Sequence, residues 1–325
     1  MANLQTTYLG LTLQNPVIVS SSGLTDSVEK IEKLEEHGAG AVVLKSLFEE
    51  QIFFESGKLV TLDDYPEAED YIRNYTKNNS VDEYLSLIEE TKKSRSIPII
   101  ASINCVSASD WIDFSKKIEA AGADALELNL YIFPSEIETN AKAFEQLYFD
   151  LIEKVKRVIK IPVAVKLGRH FSNLLNFVNM LYHRGVKGVV LFNRFYEPDI
   201  DTENLKLISS DVFSSPADIR QSLRWIGIIS SRVENIDLAA STGIHDGNAV
   251  VKQILAGASA VQVCSILYKK GMEYLNNIIS DVDNWMQRHH FNRISDFKGK
   301  LNYKSLPDSS AYERSQFMKY FSSYH

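Results

Sequence analysis

Cysteine is nearly missing from this chain, with only Cys105 and Cys264 in 325 residues. Two thiols cannot form a disulfide framework or ligate an iron–sulfur cluster, which excludes stapled secreted scaffolds and a cluster-bearing electron carrier. Long apolar runs are missing too. No segment approaches the roughly 18 apolar residues of a membrane span, and residues 1–10 have neither a basic n-region nor an apolar h-region. A soluble, cytoplasmic chain is the expectation. Basic charge is in deficit, with 35 Lys and Arg against 42 Asp and Glu and a formal net charge of −7. Without a Lys/Arg cluster, neither nucleic acid nor a membrane surface is the expected partner.

What is present is core-forming material. Hydrophobic residues make up 45% of the chain, enough to bury a large interior, and a barrel of about 250 residues with insertions needs no second domain. Eight apolar, β-branched runs each end in small or polar residues and lead into a helical stretch. They lie at 16–21, 40–46, 98–105, 125–131, 162–168, 188–195, 237–244 and 260–267. Eight such units predict an α/β fold, a closed TIM (β/α)8 barrel with its chemistry at the C-terminal strand ends. Those ends supply Ser20, Ser21 and Ser22, then Lys45 and Ser46, Asn104 and Cys105, Asn129, Lys166, Asn193, Ser241 to Gly243, and Cys264 with Ser265. The ring contains no set of metal ligands.

Residues 4–13 alternate and turn at Gly10, which predicts an N-terminal hairpin closing the barrel bottom. Helices are predicted at 26–37, 80–95, 109–121, 140–159, 173–184, 216–232, 247–256 and 271–288. Asp26 is placed as a cap, Ser80 and Glu83 form a capping box, and Pro216 sits in a first turn. Two βα connections, 47–79 and 196–215, are long enough to be substrate loops or lids. Residues 1–301 thus form the barrel. The aromatic tail, 302–325, is expected to pack on the barrel or on a second subunit.

The sharpest motif is Ala239-Ala240-Ser241-Thr242-Gly243-Ile244-His245-Asp246-Gly247, with Gly257 through Ser265 following. Strands seven and eight of a barrel often converge backbone N–H groups and a helix N-terminus on a phosphate. Thr242, Gly243, Cys264 and Ser265 would supply those donors, or else the glycines only make tight turns. Lys45 and Lys166 end apolar strands, where a lysine requires a partner. That partner is either an anionic ligand atom, such as the N1–O2 edge of a reduced flavin, or a barrel acid such as Glu127. Asn129 and Asn193 can donate and accept together, which suits a planar heterocycle.

These motifs together resemble the class 1 dihydroorotate dehydrogenase family. The resemblance runs from Thr6 to about Leu301 and is carried by Asn15-Pro16-Val17, the run Gly38 to Ser46, Ala125 to Leu130, Val163 to Leu167, both phosphate motifs, and Ser295 to Leu301. It implies FMN, with its phosphate on Thr242, Gly243, Cys264 and Ser265. Ser20, Ser21, Ser46, Asn104, Lys166 and Ser241 join the cofactor site, and Lys45, Asn129 and Asn193 face both ring and substrate. Dihydroorotate would give a hydride to flavin N5 while a base removes a proton from the adjacent carbon. A separate electron acceptor and a homodimer are implied as well.

The chain departs from the family in three places. Class 1 members carry Asn-Leu-Ser-Cys-Pro-Asn after strand four, the Cys serving as base; here the text is Asn129-Leu130-Tyr131-Ile132-Phe133-Pro134-Ser135. The substrate loop after strand two reads Tyr65 through Asn74, and a hydroxyl residue after the strand-six Asn is Arg194. By position Cys105 is a replacement base, near enough to a lysine for a lowered thiol pKa, or else an inert core cysteine. Tyr131 is a candidate proton donor and Ser135 a candidate substrate contact. Arg73 and Arg194 sit in loops that can reach a carboxylate. The expected activity is therefore FMN-dependent dihydroorotate oxidation. The alternatives are a diverged member acting on another small cyclic or unsaturated acid or amide, and a flavin-free phosphate-ligand lyase using Lys45 or Lys166 as a Schiff base.

Overall fold

The computed structural model describes residues 2–48, 81–105, 111–130, 132, 135, 137–194, 197–309 and 312, without the side chains of Cys105 and Trp111. The chain begins with an antiparallel hairpin of β1 (Thr6–Tyr8) and β2 (Leu11–Leu13). Leu9 and Gly10 between them have φ of 57° and 79°, two successive left-handed residues as a type I′ turn requires. Glycine adopts this freely and leucine does not. Leu9 is held there by burial, at 4% exposure, and by its N–H, which donates to Asp237 Oδ2 at 2.8 Å.

The barrel units follow: β3 (Val17–Val19), α1 (Val28–Glu36), β4 (Ala41–Val43), β5 (Leu47–Phe48), α2 (Val81–Ser94), β6 (Ile99–Cys105) and α3 (Trp111–Ala120). Next come β7 (Ala125–Leu130), α4 (Ala141–Lys156), β8 (Val163–Leu167), α5 (Leu174–His183), β9 (Gly188–Leu191), β10 (Pro198–Asp201) and β11 (Lys206–Ser209). The last part holds α6 (Ile219–Ile229), β12 (Asp237–Ser241), α7 (Gly247–Ala256), β13 (Ala260–Val263), α8 (Ser265–Lys270) and α9 (Tyr274–Arg288). The strands β3, β4, β6, β7, β8, β9, β12 and β13 pair in parallel, and β13 returns to β3. The sheet closes as a TIM barrel. β5 resumes the second strand after a break at 44–46 and pairs with the end of β6.

The pleat sorts side chains by parity. On β7, Leu126, Leu128 and Leu130 face outward into the core shared with the helices, while Ala125 faces inward. The inner cluster holds Ile18, Ala41, Val43, Ile100, Ala125, Ala164, Val190, Ala239 and Ala260, with Tyr8, Leu9 and Leu13 of the hairpin inserted from below. Five alanines leave the volume that the Tyr8 ring occupies. Gly188 is part of the same fit, since a Cβ there would stand 2.4 Å from Leu9 Cδ2.

Several sequence expectations are corrected. Residues 265–267 are the start of α8 rather than strand, because the ladder to β3 ends at Val263. The eighth helix begins at Tyr274 and not at Gly271. The first helix is capped by Ser27, whose side chain accepts from Lys30 N–H, while Asp26 instead pairs with Lys30 at 2.7 Å. Residues 216–218 form a separate 3₁₀ turn before α6. Within the long connection after β9, β10 and β11 make an antiparallel hairpin that the sequence did not announce, since both its strands are largely exposed. Ser80 and most of loop 47–79 lie outside the described residues. From the tail, Tyr312 donates to Leu301 O and its ring lies where a Cβ on Gly227 would stand.

The Tyr8 hydroxyl is fully buried and makes no hydrogen bond among the described residues. Tyr8→Ala should therefore cost about 3–5 kcal/mol by leaving a cavity, while Tyr8→Phe should cost nothing, because it removes only an unpartnered polar group. Urea denaturation of the two variants checks this. An equal loss in both would mean that the hydroxyl, and not the ring, supports the barrel floor.

Candidate active site

Two residues along each strand from the apolar inner layer, the barrel interior turns polar. Ile18 gives way to Ser20, Ile100 to Ser102, Ala125 to Glu127, Ala164 to Lys166, Ala239 to Ser241 and Ala260 to Gln262, and all six are buried. Lys45, two residues beyond Val43, is half-buried in the break between β4 and β5. At the centre, Lys166 Nζ donates to Gln262 Oε1 at 2.8 Å and to Ser20 Oγ at 3.0 Å. Gln262 Nε2 donates to Glu127 Oε2 at 2.5 Å, and Glu127 Oε1 lies 3.6 Å from the ammonium. Lys166 thus has the barrel acid proposed for it in the sequence, and it also lines the cavity above.

That cavity, of about 530 Å³, lies over the barrel mouth. Its lining brings together Ser20, Ser21, Lys166, Asn193, Arg194, Ser241, Thr242, Gly243, Cys264 and Ser265. Lys45, Ser46, Asn104 and Asn129 stand on neighbouring strand ends. Two of these are tied to the lining: Asn193 Nδ2 donates to Asn129 Oδ1 at 2.9 Å, and Ser21 and Ser46 hydroxyls are 2.9 Å apart. Ser46 is linked onward to Ser102 at 2.8 Å, and Ser102 N–H donates to Tyr84 OH at 2.7 Å. Asn104 pairs in register with Asn129. Ser135 is exposed in the loop after β7. The Cys105 side chain and Tyr131 lie outside the described residues, as does Arg73.

The far end of the cavity is backbone. The β12–β13 ladder ends at Ser241↔Gln262, so Thr242 and Gly243 leave the sheet, at φ of 74° and 82°. Thr242 is fixed in that conformation by its hydroxyl, which donates to Phe192 O at 3.0 Å. Gly243 has no alternative, because a Cβ would be 2.3 Å from Ile219 N. Across from this turn, Cys264 precedes α8, whose first N–H groups have no partner within the helix. Burial pushes the Cys264 thiol pKa up, against a hydrogen bond from Ser22 and the Lys166 charge.

Residues 210–215 cross the cavity as a strap. Ser214 N–H donates to Ser265 Oγ at 3.0 Å, Lys269 Nζ donates to Ser214 O at 3.1 Å, and Ser214 Oγ is 2.9 Å from His245 Nε2. Arg194 clamps the other edge, donating to Val212 O at 3.1 Å, to Asp211 O, and to Asp218 Oδ2 at 3.3 Å. Its guanidinium therefore holds the strap. His245, Gln262 and Ser102 were not singled out from the sequence, although the two-residue step from Ile100 and Ala260 points to two of them.

Burial pushes the His245 pKa below 6.5, helped by the Lys269 cation and opposed by Asp246, Asp218 and the Ser214 contact. A lowered folded pKa means stability that is complete above about pH 6.5, the unfolded value, and is lost as pH falls through the folded value. His245→Gln should therefore flatten the decline of melting temperature as pH falls below about 6.5. Parallel slopes in the two proteins would rule His245 out as its source.

A model of the dihydroorotate dehydrogenase family matches residues 3–286. Similar proteins include the dihydroorotate dehydrogenase B (NAD(+)) catalytic subunit of Thermoplasma acidophilum, 27% identical over 92% of this chain and 99% of that one. The subunit of the same name from Thermoplasma volcanium is 27% identical over 92% of this chain and 98% of its own length. That from Methanocaldococcus jannaschii is 25% identical over 88% and 94%. With most of the barrel matched, and with the cavity at the strand ends where the sequence motifs fall, the chain belongs to the dihydroorotate dehydrogenase family.

Proposed function

We propose that this chain oxidises dihydroorotate to orotate with FMN held in the cavity over the barrel mouth, a step of pyrimidine biosynthesis. The observation that carries the proposal is one cavity with a buried ammonium, Lys166, at its floor and the Thr242–Gly243 and Cys264–Ser265 backbone at its far end. These residues fit the cofactor. Turn and helix-start N–H groups suit a phosphate, and a cation beside Ser20 suits the anionic edge of a reduced ring. FMN, when bound, supplies the hydride acceptor at N5.

The protein's own groups do the remaining work. Lys166 holds positive charge where negative charge develops, and it is pre-oriented by Gln262 and Ser20, so little reorganisation accompanies reaction. Ser241, Ser21, Ser46 and Asn104 line or buttress the same floor. Asn193 spends one amide hydrogen on Asn129, and both amides retain further donor and acceptor capacity for a planar substrate carrying amide and carboxylate groups. Lys45 is the cation for the substrate side. Cys105, at the end of β6 beside the Asn104–Asn129 pair, is the candidate base, with Tyr131 the candidate proton donor and Ser135 a substrate contact at the rim. Arg194 acts by fixing the strap. The relatives are named as catalytic subunits of NAD(+) enzymes, which supports a partner that carries electrons onward. A cytoplasmic homodimer is part of the same proposal.

One observation favours a second substrate. Where class 1 relatives read Ser-Cys-Pro-Asn, this chain reads Tyr131-Ile132-Phe133-Pro134-Ser135, and another small cyclic acid or amide would use the same flavin floor.

Purified protein is expected to be yellow, absorbing near about 450 nm as flavins do. Anaerobic dihydroorotate should bleach it stoichiometrically, and Cys105→Ala should slow that bleaching by about 10²-fold or more, the scale of a lost general base. A yellow protein that dihydroorotate leaves yellow would move the assignment to the second substrate class. Gly243→Ala should lose the flavin and lower the melting temperature, because a Cβ there would meet the Ile219 backbone and displace the turn that faces the phosphate. Retained flavin in that variant would place the phosphate elsewhere.

A further inference from the structure

Glu127 is a buried carboxylate that the proposed reaction does not use. It is 1% exposed, one oxygen accepts from Gln262 Nε2 at 2.5 Å, and the other, 3.6 Å from Lys166 Nζ, has no hydrogen-bond partner among the described residues. We infer that Glu127 is a positioning residue, which orients Gln262 and tempers the Lys166 charge so that the ammonium faces the flavin ring at a set strength. The inference rests on the flavin assignment above and concerns how that site is tuned.

The argument begins with Gln262. An amide has two unlike ends, and only an acceptor at Glu127 makes its NH₂ turn that way. Its oxygen is then left for Lys166 Nζ at 2.8 Å and Ser20 Oγ at 3.1 Å. One ammonium hydrogen is thereby fixed, a second goes to Ser20 Oγ at 3.0 Å, and the third is not committed to Glu127, whose nearer free oxygen, at 3.6 Å, is beyond hydrogen-bond reach. A carboxylate at 3.6 Å in an interior of low dielectric still acts strongly on the charge. It reduces the field that Lys166 projects into the cavity without sealing it in a contact pair. Its field is felt below as well, since Glu127 raises the pKa of the buried Tyr8 and Tyr84 hydroxyls after the larger effect of their burial.

Glu127→Gln separates charge from shape, because a glutamine oxygen can still accept from Gln262. The variant should retain flavin and favour its reduced form about tenfold more than the unmodified protein, a rise of about 30 mV for a two-electron couple. Glu127→Asp, which keeps the charge, should stay within about twofold of the unmodified ratio, well under the 30 mV that a tenfold change represents. An unchanged potential in Glu127→Gln overturns the inference and leaves Glu127 a structural counter-ion. If that variant does not fold, Lys166→Met is compared with Lys166→Met/Glu127→Gln. A rise of similar size is expected in the double variant, because the carboxylate's field on the ring adds to that of the ammonium, and equal potentials overturn the inference. Should the unmodified protein take up no flavin, the flavin assignment itself fails. The inference is then decided on the apoprotein, where the Nζ resonance of isotope-labelled Lys166 should move in Glu127→Gln and hold in Glu127→Asp; a resonance indifferent to Glu127→Gln overturns it.

Discussion

Lys166 carries a positive charge at 4% exposure in the centre of a parallel barrel, and much of the site follows from what that charge requires. An unpaired ammonium in such an interior is prohibitively costly, and a contact ion pair would leave it nothing to offer a ligand. The structure lies between these limits. Two neutral acceptors, Gln262 and Ser20, take the short contacts, and Glu127 is held at 3.6 Å. Each comes from a different strand, β13, β3 and β7, so the charge is satisfied only once the barrel has closed. Closure and function are thereby linked in one set of four side chains.

The depth of that polar layer is set from below. Alanines at 41, 125, 164, 239 and 260 admit the Tyr8 ring, and Leu9 accepts a left-handed backbone to complete the plug. The plug fills the lower interior without a polar contact from the Tyr8 hydroxyl, so the first inward position free for chemistry lies one pleat higher. A larger residue at any of the five alanines would push the hairpin out, and the polar layer would then rest on water. The floor of the active site depends on a hairpin at the opposite end of the chain from the phosphate motif.

The strands were legible because β-branched runs are a local property. The polar ends of those runs marked Lys45, Lys166, Asn129 and Asn193 for the same reason. Gln262 was harder to see, for its importance lies in a side chain from another strand, Glu127, which the sequence offered only as a generic ion-pair partner. The β10–β11 hairpin was hidden because Ile200, Leu205 and Leu207 are exposed, so its pattern lacks the buried face that makes a strand readable. Ser265 was assigned to a strand because its apolar context continues past Val263, whereas pairing with β3 ends there. Arg194 has the chemistry to bind a carboxylate. Its partners, two backbone carbonyls and Asp218, are set by a loop fold that no local pattern specifies.

That clamp bears on how the cavity is entered. A guanidinium offers five donors in a rigid fork, and Arg194 uses that geometry for two contacts on the strap and a third to Asp218 beyond it, which a small hydroxyl cannot make. At the other edge, Ser214 spends its N–H, carbonyl and hydroxyl on Ser265, Lys269 and His245. Lifting the strap would break five contacts, two of Arg194 and three of Ser214. At roughly 1 kcal/mol net for each neutral bond, and more for the charged ones, the opening would cost several kcal/mol. The strap is therefore a fixed wall over the end of the cavity lined by Thr242, Gly243 and Ser265. Under the proposed function, exchange of a small substrate falls to the opposite rim, where Asn129, Asn193 and Lys45 stand.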